Sequence, residues 1–364
     1  MSEESKTEGT HMSESKRRGE LSLMNVLLCL FVIFIHVSSH AVTWADKASW
    51  QYAAILVPWR LCACAVPGFF FLSGVKFTLT MKPEFSYGRY ILGRVKRVLV
   101  PYILCAAVYW VYFLYRNYMT FSVPEFLKLL ADGNLSSHFY FIIAVMQFYL
   151  LAPLWRWLAG KFEQPEWMAA ALVITLPVSL IYGQYLADFL LVLYQGGIFP
   201  YADRVFTTYL VWWVCGLAVG KYYERAVAAA RAHFGAVTIL FVIGAAQNAY
   251  LSWLHFSGRM SIWWLETVHT LYVMSAVMFL FALAVKLADT KLPEFRLISL
   301  IDRTSFSIYL WHPLALYLAD QVIAYIPAPS ILLTFAIRAV FAFGGTIAVC
   351  VGVHVVTGML KKKA

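Results

Sequence analysis

Charge is scarce in this chain: of its 364 residues 13% are Asp, Glu, Lys or Arg, against 62% hydrophobic and 17% aromatic. That balance excludes an ordinary water-soluble domain. Apolar stretches recur from Leu23 almost to the C-terminus, each about 20 residues and long enough to cross a hydrocarbon core of roughly 30 Å as a helix. Cysteines are few. All six (Cys29, Cys62, Cys64, Cys105, Cys215, Cys350) fall within apolar stretches, without ligand spacing, so neither a metal site nor a disulfide framework is expected. A continuous basic face is also lacking: the net charge of +10 is carried by short segments between apolar runs, which excludes nucleic acid as a partner. No repeat relates the two halves, which counts against a transporter built on inverted repeats.

Hydropathy predicts about ten spans, near residues 23–43, 54–76, 98–116, 139–158, 167–186, 204–222, 234–254, 262–286, 304–325 and 331–357. Lys and Arg crowd alternate connections (residues 16–18, 82–97, 156–161, 221–231, 286–303 and 361–363), while the others carry few, such as Lys47, Arg116, Lys128 and Arg259. The positive-inside rule makes the crowded side cytoplasmic. The expected fold is therefore all-α, a polytopic membrane helix bundle in the cell membrane, N-in and C-in, with lipid as its surroundings. Residues 1–20 read as a disordered cytoplasmic tail and residues 21–364 as a single transmembrane domain. The segment 186–201, broken by Gly196, Gly197 and Pro200, reads as an external re-entrant or interfacial piece.

An ionisable group inside a span is costly and becomes a functional candidate. His36 lies about 13 residues into the first span, roughly 20 Å from its cytoplasmic end, with Ser38, Ser39 and His40 beside it. It is either a catalytic group near a wet cavity or a hydrogen-bonded packing histidine. The basic connection after Val66-Pro-Gly-Phe-Phe-Phe-Leu-Ser-Gly74 holds Arg89, Arg94, Lys96 and Arg97. It reads equally as a topology signal or as a phosphate clamp, with Arg94 and Arg97 one helical turn apart. Other polar residues in or near spans are Arg60, Arg204, Glu266, His269, His312 and Arg338, each of which could be a structural ion pair.

Five segments in this order resemble the acyltransferase-3 family of integral membrane O-acyltransferases: His36; Phe70 to Gly74, including Ser73; the basic run ending in Pro101-Tyr102; His138-Phe-Tyr-Phe141 with Gln147-Phe-Tyr149; and Ser307-Ile-Tyr-Leu-Trp-His312. The resemblance implies an acyl-CoA donor, usually acetyl-CoA, a hydroxyl acceptor on a cell-envelope glycan or related molecule, and the first-span histidine as the essential catalytic group. Many members carry an arginine eleven residues before that histidine, where this chain has Asn25; its role is then absent or falls to Arg17, Arg18 or Arg60. The reading that follows gives His36 as general base, with Glu266 or His312 orienting it. Arg94, Lys96, Arg97, Arg60 and Ser73 bind the donor, and no metal takes part. A transporter or flippase of a lipid-linked sugar or amphiphile is the alternative.

Overall fold

The computed structural model describes residues 18–193 and 201–363. Among them every regular element is helical. The helices are α1 (Gly19–Trp44), α2 (Trp50–Cys62), α3 (Ala65–Leu79), α4 (Tyr87–Arg94), α5 (Val100–Tyr115), α6 (Val123–Asp132), α7 (Tyr140–Leu150) and α8 (Ala152–Lys161). They continue with α9 (Pro165–Leu193), α10 (Leu210–Lys221), α11 (Tyr223–Ala232), α12 (Phe234–Phe256), α13 (Leu265–Ala288), α14 (Arg296–Ile323), α15 (Ile331–Ala339) and α16 (Thr346–Lys363). One π turn (Val95–Leu99) joins α4 to α5 and a second (Val340–Gly345) joins α15 to α16.

Six of these stretches are long and apolar enough to span a membrane: α1, α2 with α3, α4 with α5, α12, α13, and α15 with α16. The pair α7 and α8, bent by 61°, makes a seventh if it counts as one crossing. The remaining expected spans fall on α9, α10 and α14. Helix α14 has the length, but its Ser, Thr, His and Asp residues dilute its hydropathy, because this helix carries much of the polar site. Most of the expected tail and the end of the expected re-entrant piece, residues 1–17 and 194–200, lie outside the described residues. Gly19 and Glu20 already form the first turn of α1, and α9 runs on to Leu193, past the predicted start of that piece.

Helix α1 is central, packing against α2, α3, α13, α14 and α15. Its lower end is fixed by Arg18 on Glu224 at 2.8 Å and by the Tyr223 hydroxyl on Glu20 at 2.7 Å. Helices α3 and α10 approach closely because Gly74 faces Gly216: a Cβ on Gly74 would lie 2.4 Å from the Trp213 carbonyl oxygen. Small residues at such a crossing let membrane helices pack backbone to backbone. The amphipathic α6 starts at Ser122, whose hydroxyl accepts from Glu125 N–H at 3.3 Å, and ends at Gly133 with φ 67°. That left-handed position suits glycine, and the turn beyond it brings Ser136 and His138 back into the bundle.

Candidate active site

Three histidines from separate parts of the chain meet inside the bundle. The ring centroid of His36 on α1 lies 5.0 Å from that of His312 on α14 and 6.2 Å from that of His138, just before α7; His138 and His312 are 5.4 Å apart. His138 and His312 are buried, and His36 is half-buried.

The Trp311-His312-Pro313 sequence explains how two of these rings are oriented. Pro313 lies inside α14 and has no N–H for the carbonyl four residues earlier, so the Tyr309 oxygen is left without its helical donor. His312 Nδ1 takes that place, 2.9 Å from the Tyr309 oxygen and 3.2 Å from that of Ile308. A carbonyl can only accept, so Nδ1 carries the proton and Nε2 presents a lone pair. Nε2 is buried and has no hydrogen-bond partner among the described residues. At the next carbonyl along the helix, the Leu310 oxygen receives His138 Nε2–H at 3.3 Å and the Tyr109 hydroxyl at 3.0 Å, while Tyr109 Oη accepts Leu314 N–H at 2.8 Å. His138 Nδ1 then accepts from Ser136 Oγ at 3.1 Å, and the Tyr309 hydroxyl donates to the His138 carbonyl. Both ring nitrogens of His138 are thus committed, which gives it a structural part. Among the described residues none constrains the His36 ring in a comparable way: its carbonyl accepts from Arg338 Nη2 at 3.1 Å and from Ser39 Oγ at 2.7 Å.

Arg338 is 6% exposed and joins three helices. Besides His36 it donates through Nε to the Val37 carbonyl at 3.3 Å, through Nη2 to Ser39 Oγ at 3.3 Å, and through Nη1 to both oxygens of Asp320 at 2.5 and 2.6 Å. Asp320 and His312 are both on α14, so one guanidinium holds the backbone of His36 in register with the helix that carries His312.

Towards the basic connection the histidines give way to a cavity of about 140 Å³ lined by Asn25, Phe69, Ser73, Val98, Tyr149 and Tyr309, among others. Asn25 Nδ2 donates to Asp302 Oδ1 at 2.7 Å and to Ser305 Oγ at 2.9 Å, and Ser22 Oγ donates to Asp302 Oδ2 at 2.8 Å. Asn25, at the position eleven residues before His36, thus reaches the Asp302 carboxylate through its side-chain amide. Beyond lies a second cavity of about 280 Å³ lined by Lys82, Arg89, Tyr90 and Arg94. Arg94 bridges the two, its guanidinium 4.9 Å from the Tyr90 ring centroid and 4.8 Å from that of Tyr149.

The structure sorts the residues singled out from sequence. It brings His36 and His312 together, places Ser73 in the narrower cavity and Arg94 between the two. Lys96 and Arg97 are exposed on the π turn and line neither cavity. Arg97 lies on that π turn, whose winding differs from the α-helical spacing on which the one-turn relation to Arg94 was read. Glu266 and Arg60 pair with each other instead of serving His36 or the cavities: Arg60 Nη2 donates to Glu266 Oε1 at 2.6 Å, beside His269 Nδ1 and Asn248 Oδ1 at 3.1 Å. The sequence reading gave His138 only within a resembling segment and did not single out Ser136 or Asp320, which the structure places on His138 and Arg338. The His138-Phe-Tyr-Phe segment was a usable signal for the first; only the folded contacts identify the others. Among the described residues no group of His, Cys, Asp and Glu is arranged to hold a metal ion.

No curated protein and no solved structure gives a match to the chain. A family model described as an acyltransferase domain matches residues 18–355, nearly the whole chain. The buried histidines, the two cavities and that match agree, and the chain belongs to the acyltransferase-3 family of membrane acyltransferases.

Proposed function

We propose that this protein takes an acyl group, acetyl being the usual one in its family, from cytoplasmic acyl-CoA and passes it to a hydroxyl of an extracytoplasmic glycan or other cell-envelope acceptor. The carrying observation is the His36–His312 pair, with the tautomer of His312 set by backbone carbonyls. The lone pair of His312 Nε2, which has no hydrogen-bond partner among the described residues, is free to receive one N–H of His36 once that ring turns toward it, leaving the other nitrogen of His36 as a base. That nitrogen removes the proton of the acceptor hydroxyl while the oxygen attacks the thioester carbonyl. The C–S bond then breaks, an ester forms, and the leaving CoA thiolate takes up a proton.

The residues present suit an acyl-CoA donor. Arg94 supplies a guanidinium for phosphate, and the narrow cavity offers Asn25, Ser73, Ser305 and tyrosine hydroxyls to the amides of a pantetheine arm. Asn25 is eleven residues below His36, about 16 Å of helix, a distance an extended arm can cover. The Lys and Arg bias supports ten crossings with both termini inside, which puts the Arg94 cavities on the side of the CoA pool. Purified protein given acetyl-CoA should release free thiol. A protein that binds acetyl-CoA and leaves the thioester intact would return the chain to the transporter reading.

A further inference from the structure

We propose that this chain pairs with a second copy of itself inside the membrane, through the outer face of α12, with the Gln247 side chains of the two copies meeting across a two-fold axis. The inference stands apart from the acyl-transfer reading and does not rest on it.

Helix α12 lies at the edge of the bundle, packed chiefly on α13 and α2, and most of its surface is turned outward. Its polar side chains are otherwise satisfied or turned inward. Asn248 and Ser252, one turn apart, are fully buried, and Asn248 Oδ1 lies 3.1 Å from His269 Nδ1 of α13. Thr238 Oγ1 donates to the Phe234 carbonyl at 2.8 Å. Gln247 is the exception: it is exposed, and its amide makes no hydrogen bond among the described residues. It stands about 20 Å of helix from Phe234 and about 14 Å from Phe256 at 1.5 Å per residue, well within a hydrocarbon core of roughly 30 Å. An amide left open to lipid at that depth costs free energy until it finds a hydrogen-bonding group.

The surroundings of Gln247 say what supplies that group. With Ala236, Leu240, Ile243 and Tyr250, all exposed, it forms a stripe whose spacing alternates four and three residues. That spacing is the seam of helices packed side by side with a left-handed twist, and one polar residue in such a seam fixes register and strand number. Beside the stripe a groove of about 330 Å³ runs between α12 and α13, with Leu271, Ser275 and Met278 on its far wall. The two helices close the groove from behind at Gly244, where an added Cβ would lie 3.0 Å from Ser275 Oγ. A lipid chain would cover the apolar rim but offers Gln247 nothing to bond. A second copy inserted in the same orientation, related by a two-fold axis along the membrane normal, brings an identical amide to the same depth. Each amide both donates and accepts, so Oε1 of one Gln247 receives Nε2–H from the other and the contact is self-complementary, as a two-fold interface requires.

The test uses the full chain in two settings. In cell membranes Gln247→Cys is oxidised with copper phenanthroline, the unchanged chain with its six native cysteines setting the background. A disulfide-linked band at twice the mass of the 41.4 kDa chain is expected. Val111→Cys on α5, 61% exposed, is the control and should give at least ten-fold less of that band. In lipid vesicles, single-molecule photobleaching over a range of protein-to-lipid ratios counts the copies in each assembly. Dimers are expected for the unchanged chain, with Gln247→Leu raising their dissociation constant at least ten-fold and Gln247→Asn, which keeps an amide, raising it less. Gln247 contacts no polar group of the bundle among the described residues, and leucine is at home in lipid, so the variant keeps its fold; an unchanged melting temperature checks this. Single copies of the unchanged chain at every ratio, equal crosslinking at Val111, or undiminished dimers of Gln247→Leu overturn the proposal. A crosslinked product of any other mass also overturns it, assigning the face to a different membrane protein.

Discussion

The imidazole of His312 lies 5.0 Å from that of His36, with its Nδ1 proton committed to the Tyr309 carbonyl and its Nε2 buried without a partner. We propose that this relationship gives His312, and not Glu266, the orienting part that sequence alone left open between them. His312→Ala should lower acyl transfer by about 10–100-fold, the range of a group that sets another's proton position, with the KM for acyl-CoA little changed. Steady-state kinetics on protein of matched melting temperature checks this. An unchanged kcat would remove His312 from the site.

Pro313→Ala separates helix stability from activity. Alanine restores an N–H for the Tyr309 carbonyl, in competition with His312 Nδ1. The variant should keep or raise the melting temperature, since alanine suits a helix interior better than proline, yet lose about ten-fold or more in turnover. Full activity would show that the freed carbonyl is not what aligns His312.

The basic connection divides in the same way. Arg94→Ala should weaken acyl-CoA binding by about 1.5–3 kcal/mol, the loss of one charge-assisted contact. Lys96→Ala and Arg97→Ala, whose side chains are exposed away from both cavities, should each cost well under that. Isothermal titration with acetyl-CoA makes the comparison, and equal losses at all three positions would restore a general phosphate clamp or a nonspecific charge effect.

Much of this was legible in the sequence, for identifiable reasons. Apolar runs locate helices because a chain in lipid must satisfy its backbone internally: the predicted spans fall on helical segments, of which six, or seven with the bent pair, are long and apolar enough to cross. His36, His312, Ser73 and Arg94 stood out because polar groups are rare in such runs. The contacts between helices were not legible. Glu266 and Arg60 are 206 positions apart and form an ion pair that no local pattern announces. The π turn between Arg94 and Arg97 is likewise absent from a helical-wheel reading, which assumes α-helical spacing throughout. The Arg338–Asp320 clamp is hidden in the same way: each residue alone looks like an isolated charge near a helix end.

Arg338 should prove as important as the histidines without touching substrate. Arg338→Ala removes a buried guanidinium from Asp320 and from two carbonyls of α1, and breaking such a pair costs about 3 kcal/mol or more in stability. Arg338→Lys keeps the charge but not the fork. It should fold with a reduced melting temperature and show a lower kcat with the KM for acyl-CoA near wild type. Wild-type kcat in Arg338→Lys would mean that the position of the His36 turn does not depend on this clamp.

The most direct test of the account is the activity of His36→Ala measured together with its donor binding and melting temperature, with His40→Ala one turn away as control. If His36 is the general base, acyl transfer falls by about 10²-fold or more while acetyl-CoA affinity and thermal stability stay close to wild type, and His40→Ala has only a modest effect. Near-wild-type turnover in His36→Ala, a parallel collapse of activity and stability as for a packing residue, or a larger loss in His40→Ala would contradict it.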